Sequence, residues 1–161
     1  VTQLIVKNAA YYSGLNLDLL ITASILHDLG KVFISPEILN KPDKLTEEEL
    51  TIIRTHPQAG YDVLKKVEFP WPIADMVLQH HERINGSGYP AGLKGEEVLL
   101  EARIMAVADV VEAMSSKRSY RPAQQLDTAL REIARNKGVL YDVNVAEACL
   151  TAFLDKGFKF G

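Results

Sequence analysis

Leu17-Asp18-Leu19-Leu20-Ile21-Thr22-Ala23-Ser24-Ile25-Leu26-His27-Asp28-Leu29-Gly30 is the stretch on which the fold turns. Apolar residues at Leu19, Leu20, Ile21, Ala23, Ile25, Leu26 and Leu29 cover most of a helix's circumference, which predicts a buried central helix over 17–29 with Gly30 as its stop. Working outward, residues 32–45 read as irregular chain punctuated by Pro36 and Pro42. Thr46 followed by Glu49 reads as a capping box. The helix it opens is expected to end at His56, because Pro57 disfavours α geometry in the residue before it. Further helical patterns run over 58–67, 73–82, 101–114, 122–137 and 144–154, with Gly138 as a C-terminal cap on the helix before it. Asn85-Gly86-Ser87-Gly88-Tyr89-Pro90-Ala91-Gly92 interrupts them with a composition that forbids regular structure. No strand alternation, repeat or linker is visible. The expectation is an all-α fold: one compact multi-helix bundle over 1–161 with a Gly/Pro-rich loop.

Composition narrows the function classes. The 161 residues carry 47% hydrophobic and 24% charged side chains, an ordinary globular balance that excludes disordered, collagen-like and coiled-coil chains. A net charge of -3 argues against a nucleic-acid or acidic-membrane surface, so a phosphate ligand would need locally concentrated positive charge. No apolar run approaches the roughly 18 to 20 residues that span a bilayer, and Val1-Thr2-Gln3-Leu4-Ile5-Val6-Lys7 has no signal-peptide pattern. The single cysteine, Cys149, lies in an apolar helical stretch and reads as a buried thiol, which fits a reducing, cytoplasmic setting. The sequence starts without Met inside a helical pattern, so a module cut within its first helix is expected.

Four histidines carry the chemistry. His27 and Asp28 end the most apolar helix, where a polar pair is costly unless both groups have partners; a hydrogen-bonded helix end and a metal site are both open. His56, alone before a proline, reads as a cap or a packing residue. His80-His81-Glu82 is more specific: adjacent histidines point about 100° apart on a helix, so they suit neighbouring metals better than one. Asp109 interrupts the apolar run Ile104-Met105-Ala106-Val107-Ala108. Imidazole with carboxylate and no thiolate suits Fe, Mn or Zn. A carboxylate-bridged metal pair roughly 3.5 to 4 Å apart is the usual apparatus of phosphoester hydrolysis. Lys31, one turn past His27, is either a phosphate contact or a helix-end lysine favoured by the macrodipole.

Together these residues resemble a known family. His27-Asp28-Leu29-Gly30-Lys31 is similar to the signature of HD-superfamily phosphohydrolases, and His80-His81-Glu82-Arg83-Ile84-Asn85-Gly86-Ser87-Gly88-Tyr89-Pro90 resembles the motif of their HD-GYP branch. The likeness continues through Lys41-Pro42, His56-Pro57, Gly92-Leu93-Lys94-Gly95-Glu96, Ala106-Val107-Ala108-Asp109 and Arg118-Ser119-Tyr120-Arg121-Pro122, covering roughly residues 15–150. The resemblance implies a phosphodiesterase that opens the bacterial second messenger cyclic di-GMP, to linear pGpG or to GMP. It implies two or three divalent metal ions, Fe or Mn first, with Zn, Ni or Mg as alternatives. His27, Asp28, His56, His80, His81 and Asp109 would be the ligands, with Asp28 bridging. Lys31 would contact the scissile phosphate, Tyr89 would face the substrate, and Arg118 and Arg121 would bind phosphate or guanine. It also implies an upstream regulatory domain, a diguanylate cyclase domain as a partner, and a homodimer.

Two departures from the family pattern stand out. The family has a further metal-binding histidine on the helix before the HD pair, which would fall just before Val1, and no histidine precedes His27. Asn85 stands where aspartate is usual, keeping the turn-capping carbonyl and losing a charge. Both motivate an alternative of another class: a catalytically silent module that binds a cyclic dinucleotide or a protein partner. A generic nucleotide hydrolase is the third reading, opposed by Gly88-Tyr89-Pro90.

Overall fold

The computed structural model describes residues 15–115 and 122–154. Among them the fold is all-α, without a β-strand, and an isolated antiparallel bridge between Asn85 and Lys94 closes the base of the glycine-rich loop. In chain order the helices are α1 Leu17–Leu26, α2 Pro36–Leu39, α3 Glu47–Ile53, α4 His56–Leu64, α5 Ile73–Gln79, α6 Leu100–Ser115, α7 Pro122–Arg135 and α8 Val143–Leu154, with 3-10 turns at Leu29–Phe33 and Gly95–Glu97. Arg118 and Arg121 lie outside the described residues, as does the chain before Leu15.

Several ends differ from expectation, each for a physical reason. The first helix stops at Leu26 and leaves His27 as its C-cap. Gly30 does not terminate it, because that residue sits inside the 3-10 turn. The capping box is present, with Glu49 N–H donating to Thr46 Oγ1 at 3.3 Å and Thr46 N–H to Glu49 Oε2 at 2.7 Å. Yet α3 ends at Ile53, and His56 opens α4 rather than closing α3. Pro57 is tolerated there because the first turn of a helix has no use for its missing N–H. Similarly α5 ends at Gln79, so His80 is a C-cap and His81 and Glu82 stand in the turn beyond it.

The central helix is also not the expected one. α1 buries only Leu19, Leu20 and Ala23, and Ile25 is 74% exposed. α6 takes the middle, packed against α1, α5, α7 and α8. It buries Ala102, Ile104, Met105, Ala106, Val107, Ala108 and Val111. Three alanines in that set let neighbouring backbones come close, and the larger side chains fill the core with Leu20, Ile73, Met76, Ile133, Val145 and Phe153. Cys149 is buried in this core, as expected of a structural thiol. Burying aliphatic side chains of this size stabilises by roughly 1.5 to 3 kcal/mol each before entropy is counted. This framework carries Asp109, midway along α6, to the ends of α1 and α5.

Candidate metal centre

Close packing of two backbones brings the first half of the site together. The 3-10 turn after Asp28 lies against α4, and a Cβ on Gly30 would sit 1.9 Å from the His56 carbonyl oxygen. Only glycine permits that approach, and it sets Asp28 Oδ1 3.4 Å from His56 Nε2. The second half comes from the ends of α5 and from α6. His27 Nε2 is 3.4 Å from Asp28 Oδ2 and 3.7 Å from Asp109 Oδ1, and His81 Nδ1 is 4.0 Å from Asp109 Oδ2. His56 Nε2 and His80 Nε2 face each other at 3.3 Å. His27, Asp28, His56, His80, His81 and Asp109 therefore converge.

Hydrogen bonding decides which nitrogen each histidine offers. Nδ1 of His27 lies 2.7 Å from the Ser24 carbonyl, Nδ1 of His56 2.7 Å from that of Ile53, and Nδ1 of His80 2.6 Å from that of Val77. A carbonyl only accepts, so each Nδ1 carries the proton and donates it. The three Nε2 atoms are left turned inward with lone pairs. Asp28 Oδ1 is buried without a hydrogen-bond partner, because the nitrogen facing it is the His56 acceptor. Lone pairs aimed at lone pairs in a buried space repel unless a cation lies among them.

Burial strengthens that donor character. His56 is pushed below the usual imidazole range by burial, and His80 by burial to about 4. His81 is lowered by burial and then by the neighbouring His80. These rings stay neutral and able to ligate. His27 goes the other way: burial lowers it, but the Asp109 and Asp28 carboxylates and the Ser24 carbonyl outweigh burial and raise it. Asp109 is raised by burial yet held down overall by His27, His81 and His80, so it is a carboxylate.

The donor set fits divalent metal. Nitrogens of His56, His80 and His81 lie within 4.8 Å of one another, and so do the ligand atoms of His27, Asp28 and His80. His80 belongs to both groups and His81 to one, and their ring centroids are 4.1 Å apart.

Lys31 reaches the same place, with Nζ 2.6 Å from Asp28 Oδ2. Tyr89 stacks on His81, the centroids 4.8 Å apart and the planes 26° from parallel, and burial raises its hydroxyl to about 12. Asn85 retains its turn role: Oδ1 accepts from Ser87 N–H at 3.0 Å and from Ser87 Oγ at 2.7 Å.

Two residues went unread in the sequence. Glu82, 2% exposed, accepts from the backbone N–H groups of Ala91 and Gly92 through Oε1 at 2.7 and 3.1 Å, and of Leu93 through Oε2 at 3.1 Å. It clamps the glycine-rich loop and so positions Tyr89. Gly88 allows the fold-back, since a Cβ there would lie 2.4 Å from Glu82 Cα. Arg54 sets its guanidinium carbon 5.8 Å from the Tyr89 ring centroid. Glu82 stood inside a motif without a role, and Arg54 looked like any solvated arginine.

A profile of the HD domain family matches residues 12–145. The chain belongs to the HD domain family, in its HD-GYP branch. This HD domain is 45% identical over 130 residues to the "Cyclic di-GMP phosphodiesterase response regulator RpfG" of Xanthomonas campestris pv. campestris (strain 8004), covering 80% of this chain and 34% of that protein. It is 44% identical over 130 residues to a "Cyclic di-GMP phosphodiesterase" of Thermotoga maritima, covering 80% of this chain and 35% of the relative. It is 40% identical over 114 residues to the "3'3'-cGAMP-specific phosphodiesterase 3" of Vibrio cholerae, covering 71% and 25%. The chain thus spans a quarter to about a third of the length of these curated relatives. Among the described residues no helix is long and apolar enough to cross a membrane.

Proposed function

We propose that this HD-GYP domain is a metal-dependent phosphodiesterase that hydrolyses cyclic di-GMP to pGpG, GMP or both. The observation that carries the reading is Asp28 Oδ1, a buried acceptor without a partner, facing the inward Nε2 lone pairs of a histidine cluster. His27, Asp28, His56, His80, His81 and Asp109 would hold two or three divalent ions, Fe or Mn in preference to Zn, Ni or Mg. Such ions supply Lewis-acid polarisation of the phosphate and activation of water at neutral pH.

The chain's own groups do the rest. Asp28 turns one oxygen toward His27 and the other toward His56, which supports the reading that it would be the carboxylate shared between ions. Lys31 Nζ, beside Asp28 Oδ2, binds a non-bridging oxygen of the scissile phosphate. Tyr89 offers a π surface beside the cluster, its ring stacked on His81. Arg118 and Arg121 carry over from the family resemblance as further phosphate or guanine contacts. Net charge does not oppose a phosphodiester, because bound cations reverse the local field.

Anaerobic loading with Fe or Mn, followed by incubation with cyclic di-GMP, tests this reading. Appearance of the linear dinucleotide or of GMP supports it. Metal bound without turnover overturns it in favour of a silent cyclic-dinucleotide receptor or interaction module. A mixed GMP–AMP ring is the second substrate reading, favoured by the 40% identity to the Vibrio enzyme named for that specificity. From the same resemblance come a regulatory domain in the parent protein, a diguanylate cyclase domain and a second copy of the chain as partners. The buried, unpaired Cys149 supports a cytoplasmic setting.

A further inference from the structure

Beside the histidine cluster lies a cavity of about 220 Å³ lined by Arg54, His81, Arg83, Ser87, Gly88 and Tyr89. Its side chains are rich in donors: two guanidiniums and two hydroxyls, with no carboxylate among them. Arg83 is partly committed, because Nη1 donates to the Glu82 carbonyl at 2.9 Å. Arg54 is not: among the described residues no carboxylate pairs with it, and its guanidinium lies over the Tyr89 ring. An unpaired guanidinium beside an aromatic face, in a chain of net charge -3, calls for an acceptor-bearing ligand.

We propose that Arg54 is a specificity-determining residue that reads the Hoogsteen edge of a guanine seated against Tyr89. The inference rests on the cyclic-dinucleotide reading above and deepens it. Guanine presents two acceptors, O6 and N7, to a bidentate guanidinium, whereas adenine presents a donor at N6 beside its N7. A donor-rich lining therefore accepts the first edge and leaves the second with an unmatched amino group. The cavity is too large for a phosphate alone, and a phosphate has no use for the ring. His81 stacks on one face of Tyr89 and the Arg54 guanidinium carbon lies 5.8 Å from the ring centroid, so a base set against the ring edge would lie within reach of the guanidinium fork. The scissile phosphate belongs to Lys31, which stands beside Asp28.

The test uses the full, metal-loaded chain and non-hydrolysable phosphorothioate analogues of cyclic di-GMP, cyclic di-IMP and cyclic di-AMP, with affinity read by calorimetry. Cyclic di-IMP keeps O6 and N7 without the 2-amino group. Arg54→Ala and Arg54→Lys should each weaken the first two ligands by about tenfold and the adenine ligand by less than about twofold. The lysine variant separates edge reading from charge, since it keeps the charge and loses the fork. Both substitutions fall at an exposed helix C-cap, so folding is not at stake. Equal losses on all three ligands, rescued by lysine, would mean a phosphate contact and overturn the proposal. Unchanged affinities in Arg54→Ala overturn it while leaving the phosphodiesterase reading intact. A parent chain that binds none of the three overturns both.

Discussion

Nε2 of His56 lies 3.3 Å from Nε2 of His80, and neither nitrogen has a proton to give the other. Each ring has spent its proton on a backbone carbonyl three residues earlier in its own segment. Two buried acceptors at that distance are stabilised only by a cation that both can reach. Manganese or ferrous iron should therefore raise the melting temperature of the chelator-treated chain. At free metal about 100 times Kd the gain is about 2.7 kcal/mol, or roughly 5 to 10 °C for a chain of this size. In His80→Ala that metal-dependent rise should fall below about 2 °C relative to its own chelated baseline. Using each variant's own baseline removes the cost of the core substitution. An undiminished rise in the variant would place the metal elsewhere.

Glu82 makes the second prediction. Its carboxylate collects three N–H groups from residues nine to eleven positions further on, which no helix or strand ladder satisfies. Glu82→Gln keeps the shape but turns an amide N–H₂ toward one or more of those donors. The expected loss is about 1 to 3 kcal/mol in urea unfolding. Limited proteolysis should now cut within residues 86–93. If the variant matches the parent in both, the clamp does not hold the loop.

Gly30 makes the third. A methyl group there would collide with the His56 carbonyl oxygen, and the next contacts are His56 C and Gly60 N at 2.8 Å, all backbone. Backbone does not swing aside as a side chain does, so Gly30→Ala must part the 3-10 turn from α4. We expect about 2 kcal/mol of destabilisation or more, together with weaker metal binding, because Asp28 and His56 are carried on the two separated segments. Unaltered metal affinity would show that the cluster tolerates that separation.

Legibility followed the range of the interaction. Signals confined to a few residues were readable, such as the Thr46–Glu49 box and the apolar surroundings of Cys149. The six converging residues could be named because His27, Asp28 and Asp109 are unusual in apolar helical stretches, His80 and His81 are an adjacent pair, and the resemblance joined the lone His56 to them. Helix ends were less readable, since Pro57 is a breaker in mid-helix and harmless in a first turn, and its neighbours alone do not say which. The choice of central helix was also hidden. α1 is the more apolar string, but α6 has the small residues Ala102, Ala106 and Ala108 that let four helices approach it. Glu82 acts across nine or more residues, and Arg54 meets Tyr89 across thirty-five positions of chain. No local pattern marks either.

Cys149 makes the fourth prediction, far from the metal. Burial among the side chains of the core raises its thiol from 9.0 to about 12. The unfolded chain releases the proton near pH 9, whereas the folded chain keeps it. The contribution to stability is therefore whole below pH 9 and declines above it, by about 1.4 kcal/mol for each further pH unit. Other groups titrate in the same range, so the comparison is with Cys149→Ala, which lacks this one. Between pH 8 and pH 10 the parent should lose about 1.4 kcal/mol more unfolding free energy than the alanine variant. The thiol should also react with an aromatic disulfide at pH 8 only as fast as the chain unfolds, a rate that urea below the midpoint accelerates. Fast labelling in native buffer, with no urea dependence, would mean that the α8 face carrying Cys149 opens without global unfolding.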